Sequence, residues 1–221
     1  MDSLGFSLKE EARLTTLTLD VVKSSEIEGE NLNYDQVRSS IARRLGINAA
    51  GLIPSDRYIE GVVEMMLDAT QNYQETLTHE RLFGWHSALF PTGYSGLHKI
   101  EVARYRTGEM QIVPGAMGKE LIHYEAIQAS KMTSEMTLFL EWFNAKNNID
   151  PVLKAGLAHF WFIIIHPFDD GNGRVARAIT DLQLTRSENK PERFYSMSNQ
   201  ILTEKNAITM YYKKFNIVMV I

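Results

Sequence analysis

The sequence predicts a mainly α-helical protein, a bundle of helices interrupted once by short β-hairpins. Three observations carry this. Most of the chain repeats its apolar residues at the spacing of one helix face. The stretch Leu97 to Tyr124 breaks that period. It holds the strand formers Val102, Tyr105, Ile112, Val113, Ile122 and Tyr124, punctuated by Gly108, Gly115 and Gly118. And a dense apolar run, Phe160 to Ile165, enters a polar, glycine-rich loop and leaves it as a new helical pattern, Val175, Ile179, Leu182.

The first helix is expected over about Leu8 to Val22, where Ala12, Leu14, Leu17, Leu19 and Val22 form a broad stripe. Ser24 to Glu30 then reads locally as an acidic helix end capped by Gly29. Acids at a helix C-terminus oppose the dipole, so this end works against stability. Asn33-Tyr34-Asp35-Gln36 opens a second helix, through Ile41 to Leu45, closed by Gly46. Ser55 is placed to cap a third, with Ile59, Val62, Val63, Met66, Leu67 and Thr70 inward and Met65 and Met66 as core filler. Thr78 caps a helix from His79 to Leu89, on which Trp85 and His86 read as packing or interface residues; Pro91 to Gly96 breaks the chain.

Beyond the hairpins, Ser130 to Phe143 returns to helix with Met136, Phe139, Leu140 and Phe143 inward. Asp150 caps and Pro151 opens the next helix, which runs to Ile164. It is apolar nearly all round and is therefore expected at the centre. His159 on it reads as a satisfied structural histidine. The helix after the loop reaches about Ser187, Pro191 breaks it, and a last helix starts near Asn199.

The loop His166-Pro167-Phe168-Asp169-Asp170-Gly171-Asn172-Gly173-Arg174-Val175-Ala176-Arg177 concentrates the chemistry. Gly171 and Gly173 permit positive φ and close backbone approach. Asn172 tolerates a left-handed conformation. Successive N–H groups opening onto a helix N-terminus make an anion site. Arg174 and Arg177, three apart, share a helix face, and two guanidinium forks suit a polyphosphate. Asp170 is a hard oxygen donor of the kind Mg²⁺ prefers. His166 sits where it could take a proton from an incoming hydroxyl. Singly these parts are commonplace; gathered in one short run they are not.

This run resembles the signature of the Fic family, H-P-F-x-[DE]-G-N-G-R-x-x-R, and matches it at every fixed position. The resemblance implies a Fic-type helical bundle with a small β-hairpin flap over the active site, and transfer of AMP from ATP to a protein hydroxyl. It implies that His166 is the general base, that Phe168 anchors the loop, and that Asp170 holds Mg²⁺. Gly171, Asn172, Gly173, Arg174, Val175, Ala176 and Arg177 would form the nucleotide-binding run, with Arg177 on the γ-phosphate. Val113-Pro114-Gly115-Ala116 would be the flap segment nearest nucleotide and target, pairing with an extended target segment.

A second resemblance lies upstream. Ser24-x-x-x-Glu28-Gly29 matches the inhibitory motif [ST]-x-x-x-E-[GN] of many Fic proteins. It implies that Glu28 pairs with Arg177 where the γ-phosphate belongs, since a buried arginine satisfies one two-pronged anion at a time. An aromatic of the last helix normally lines the adenine pocket in the family; Tyr195, Tyr211 and Tyr212 are candidates. Rare relatives transfer phosphate, or remove AMP with Glu28 positioning water. An inactive, truncated nucleotide- or partner-binding module is the third reading.

Composition bounds the rest. At 221 residues, 44% hydrophobic and 23% charged, the chain is ordinary for a globular protein. A net charge of −4 argues against a general nucleic-acid binder. With no cysteine there are no disulfides or thiolate metal sites, which fits a cytoplasmic protein. No signal peptide or membrane span is expected. The expected division is 1–75, a helical segment with the inhibitory motif; 76–190, the Fic core; and 191–221, a helical tail whose apolar end, Ile217 to Ile221, reads as truncated. The expected partners are ATP, Mg²⁺, a protein target and, from the family's habit of dimerising, a second copy of the chain.

Overall fold

The computed structural model describes residues 2–109, 111–112, 124–125 and 127–204, with side chains over 8–109 and 127–204. Val113, Pro114, Gly115, Ala116, Tyr211 and Tyr212 lie outside them. The architecture is a helical bundle, as the periodicity predicts. Helices α1 Asp2–Ile27, α2 Tyr34–Leu45, α3 Arg57–Gln71 and α4 His79–Leu89 come first, and α5 Met132–Asn144, α6 Pro151–Ile165 and α7 Asn172–Glu188 follow. Between the two groups lie two antiparallel pairs, β1 Tyr94–Ser95 with β2 His98–Lys99, and β3 Gln111–Ile112 with β4 Tyr124–Glu125. The first pair begins ahead of Leu97, inside the stretch expected only to break the chain. Gly96, at φ 54°, opens the two-residue turn that joins its strands. Residues 197–204 are helical.

Polar caps set the helix starts. Asn33, Thr78 and Asp150 accept backbone N–H groups from Gln36, Arg81 and Val152 at 3.0, 3.2 and 2.9 Å. At α3 the cap is Asp56 rather than Ser55, accepting from Ile59 at 2.9 Å. A carboxylate there also complements the helix dipole, and the Ser55 hydroxyl is engaged by Arg43 and Glu60 instead.

Helix α1 runs a turn beyond Val22. Its buried face is not the expected stripe: Leu14, Leu17 and Val21 continue into Thr18, Asp20, Ser24 and Ser25. The helix closes where Gly29, at φ 83°, donates to the Glu26 carbonyl and Glu30 donates to that of Ser25, both at 3.0 Å.

The expectation that α6 is the central helix is corrected. Val152, Leu153, Leu157 and Phe160 on it are exposed, Leu153 to 65%. The central helix is α7, in which every residue from Arg174 to Thr185 is buried. A charge-bearing helix can hold the centre only if its charges are paired, and these are. Asp181 meets Arg193 at 2.6 Å, and the same Arg193 nitrogen meets Asp20 of α1 at 3.2 Å. Burial pushes the Asp181 carboxyl up to about 7, with the neighbouring Asp20 adding to the shift and Arg193 opposing it. Among the described residues, no helix is long and apolar enough to cross a membrane.

Helices α3 and α4 approach closely at Gly61, where a Cβ would stand 1.8 Å from the Ala88 carbonyl oxygen. Backbone cannot yield as a flexible side chain does. Gly61→Ala is therefore expected to destabilise the protein by about 1–3 kcal/mol, the usual cost of overpacking. Urea unfolding checks it; an unchanged midpoint would show that the helices part freely.

Candidate active site

The site is built where α6 ends. His166 closes that helix in the left-handed region, φ 50° and ψ 60°, with its N–H on the Phe162 carbonyl at 3.0 Å. The chain then drops Phe168 into the core, fully buried. Its ring stacks on His86 at 4.2 Å and 8°, with Tyr105, Phe162 and Phe83 around it. Asn172 fastens the turn: Phe168 N–H donates to its Oδ1 at 2.9 Å, and its Nδ2 donates to the Phe168 carbonyl at 2.7 Å. Asn172 is thus helical rather than left-handed, because both ends of its amide are needed on the loop. Gly171 takes the left-handed position, φ 80°.

Gly173 is also helical, against the expectation of positive φ. Its missing side chain serves approach instead: a Cβ would lie 2.1 Å from Glu28 Oε1. No described side chain caps α7. Its first N–H groups, those of Asn172, Gly173 and Arg174, form a helix N-terminus suited to an anion. Val175 and Ala176 turn their side chains into the core, so only their backbone could reach a ligand.

Both arginines are 2% exposed and both are occupied. Arg177 donates from Nε to Ser24 Oγ at 2.8 Å, and from Nη2 to the Ser24 carbonyl at 2.9 Å and to Glu28 Oε1 at 2.7 Å. Burial pulls the guanidinium below its ordinary value, and the Glu28 charge pushes back. The two-pronged carboxylate expected on Arg177 is corrected: Glu28 supplies one oxygen, while Ser24, one turn earlier on α1, fills the other edge. Arg174 donates from Nη1 to the Tyr58 hydroxyl and to Glu30 Oε1, at 3.3 Å for the latter, and lies 5.1 Å from the centre of the Phe90 ring. The Tyr58 hydroxyl in turn bonds Glu30. A cavity of about 320 Å³ lined by Glu30, Tyr58, Phe90, Tyr94 and Ser95 opens beside this cluster.

The His166 imidazole is held below its ordinary pKa, chiefly by burial; Arg106 adds to this while Asp170 and Glu28 oppose it. A neutral ring at neutral pH is the form a general base needs. Its Nδ1 lies 3.4 Å from the Ile163 carbonyl. The Asp170 side chain is 41% exposed and lies 3.8 Å from Arg174. One of its oxygens accepts from Ser95 and the other from the Gly171 N–H. Among the described residues no three acids or histidines gather as a metal site. A lone, half-exposed carboxylate nevertheless fits Mg²⁺, which is commonly held by one or two protein oxygens together with phosphates and water.

Several contributors have no assigned part in the site from the sequence alone. His86 is buried, its pKa lowered to about 4 by that burial. It accepts the Ala103 N–H at Nδ1, 3.3 Å, and so presents its own N–H to the Asp170 carbonyl, 3.2 Å. Glu30 directly follows the Ser24-to-Gly29 motif, an adjacency that could have flagged it; Tyr58 and Ser95 have no local signal. Tyr195 is 43% exposed, donates to Glu188 at 2.6 Å and lies beneath Arg193. None of its described contacts is to the loop. His159 is satisfied by Thr180 at 3.2 Å.

A buried Phe-anchored loop, an uncapped helix N-terminus and two inward arginines thus meet in one helical domain. Residues 76–184 match the Fic/DOC family, so the chain carries a Fic domain, and α1 precedes it. Residues 1–47 match a family described as Domain of unknown function (DUF4172). The fold is similar to that of a Fic family protein from Desulfovibrio desulfuricans G20, with a TM-score of 0.64 and 23% identity over 96% of this chain and 60% of that one. It is also similar to a Fic domain containing signaling protein from Bacteroides thetaiotaomicron, at 0.67 and 22% over 93% and 74%. Among curated relatives, Protein adenylyltransferase Fic of Drosophila grimshawi is 41% identical over 185 residues, 77% of this chain and 33% of the relative. That of Nematostella vectensis is 22% identical over 174 residues, 76% and 37%. The chain thus spans about a third of the length of these two relatives.

Asn172→Ala removes the partners of two Phe168 backbone groups. The expected cost is about 1–3 kcal/mol for each buried group left unsatisfied. Thermal unfolding checks it, and an unchanged melting temperature would show that the loop holds without the amide.

Proposed function

We propose that the protein transfers AMP from MgATP to a hydroxyl of a protein target and that the end of α1 inhibits it. The observation that carries the reading is Glu28 on Arg177 in the first turns of α7, with a neutral His166 at the head of the same loop. The names of the curated relatives support the reaction class.

In this reading the α7 N–H groups and Arg174 bind the phosphates, and Arg177 holds the γ-phosphate once Glu28 leaves. His166 takes the proton of the target hydroxyl as its oxygen attacks the α-phosphorus. The bond from that phosphorus to the bridging oxygen breaks, and the oxygen departs on pyrophosphate into the cationic cradle. Asp170 would hold Mg²⁺, which supplies charge neutralisation on the phosphates when bound. The segment Val113 to Ala116 would line up an extended target strand.

Inhibition has two arms. Glu28 takes Arg177, and Glu30 with Tyr58 takes Arg174, so one turn of chain claims both cations. A guanidinium committed to a carboxylate cannot serve a phosphate in the same place.

Incubation with ATP labelled on the α-phosphate, followed by autoradiography, tests this. Glu28→Gly is expected to label more than the parent, and adding Glu30→Gln to label more again. Introducing His166→Ala into either should lower the rate by about 10²–10⁴. The inhibitory assignment fails if Glu28→Gly is no more active than the parent while the folded protein still binds ATP.

A further inference from the structure

Arg106 lies on the segment between β2 and β3 and is 2% exposed. Its backbone N–H donates to the Pro167 carbonyl at 2.9 Å. Its side chain donates from Nε to the His166 carbonyl at 2.8 Å, from Nη1 to the Gly108 carbonyl at 2.7 Å, and from Nη2 to the Ile127 carbonyl. Gly108 stands just before β3 and Ile127 just after β4. One planar fork therefore holds the backbone of His166 and both stems of the β3–β4 hairpin.

We propose that Arg106 is a positioning residue, which sets the His166 backbone and the β3–β4 hairpin in one fixed relation. The proposal rests on the adenylyl-transfer reading and deepens it. An amide or a water molecule has only two hydrogens to donate; a guanidinium can satisfy three carbonyls, and at fixed angles to one another. His166 is a non-glycine residue in the left-handed region, an uncommon conformation that its surroundings must hold. The Arg106 N–H and Nε bind the two successive carbonyls that follow that φ, at the end of a helix whose own donors have run out. The hairpin that would carry the target and the residue that would take its proton then move together. A second consequence is electrostatic: the Arg106 charge helps hold the His166 ring neutral.

The test compares Arg106→Lys and Arg106→Gln in full-length protein carrying Glu28→Gly. Lysine keeps the charge and loses the fork; glutamine loses both. Both are expected to lower kcat about tenfold or more, since small misplacements of reacting groups are costly in rate, while the ATP Kd stays within about threefold. Only Arg106→Gln should move the acid limb of the pH–rate profile to higher pH. That direction follows because a base relieved of a neighbouring cation holds its proton more tightly. Amide exchange at Gln111, Ile112, Tyr124 and Glu125 should quicken in both variants. A kcat within about twofold of the background in a folded variant would overturn the proposal, as would a fall matched by lost ATP affinity. Failure of both variants to fold would also overturn it, showing a residue needed for the core alone. If the Glu28→Gly protein transfers nothing, the transfer reading has failed on its own. The His166 ring resonance and the hairpin amides then decide: both unmoved in the two variants would overturn positioning.

Discussion

A buried guanidinium must have its donors and its charge satisfied, and that requirement at Arg177 organises the molecule. Arg177 is 2% exposed on the most deeply buried helix, where leaving its charge unpaired would cost several kcal/mol. Its partners come from α1: Ser24 through hydroxyl and carbonyl, Glu28 through one carboxylate oxygen. Helix α1 must therefore turn hydroxyl-bearing residues toward the core and run on to Ile27, so that Glu28 arrives beside Gly173. The contact read as inhibitory and the contact that completes the core are the same, and a phosphate displacing Glu28 would replace one anion with another.

The loop between α6 and α7 is over-determined in the same sense. The carbonyls of His166, Pro167, Phe168 and Asp170 each accept a donor from a different group: Arg106 Nε, the Arg106 N–H, Asn172 Nδ2 and His86 Nε2. Buried backbone polar groups need partners, and here those partners come from α4, the inter-hairpin segment and α7. A turn tied to three elements can hold a left-handed histidine that a free turn would relax. Such rigidity keeps the histidine and the helix N-terminus in register before any ligand arrives. Phe168, stacked on His86, adds the apolar half of the same fastening.

Much of the fold was legible because its signals are local. Asn33, Thr78 and Asp150 announce their helices by short-range hydrogen bonding, and α2 and α4 have the bounds that their caps and periodicity predict. The misreadings share one cause. Ser55 loses the cap to Asp56, its hydroxyl being engaged by Arg43 of α2 and Glu60 of α3. Helix α6, nearly all apolar, was expected at the centre, yet α7 lies there with Arg174, Arg177 and Asp181 inside it. Periodicity scores each helix alone and treats charge as outward, whereas a charge whose partner is folded against it can be buried.

The amino-acid sequence by itself determined the helical class, the loop that carries His166, Asp170 and the two arginines, and the acidic stretch from Ser24 to Glu30. These are encoded in contiguous residues, whose spacing on a helix or turn follows from covalent geometry. Only the tertiary structure decided that Glu30 and Tyr58 meet on Arg174, that Asn172 spends its amide on Phe168, and that Arg106 links His166 to both stems of a hairpin. All but the Asn172–Phe168 pairing join residues far apart in the chain. A buried polar group takes the partner that packing leaves within reach, and reach is fixed only when the helices have closed on one another.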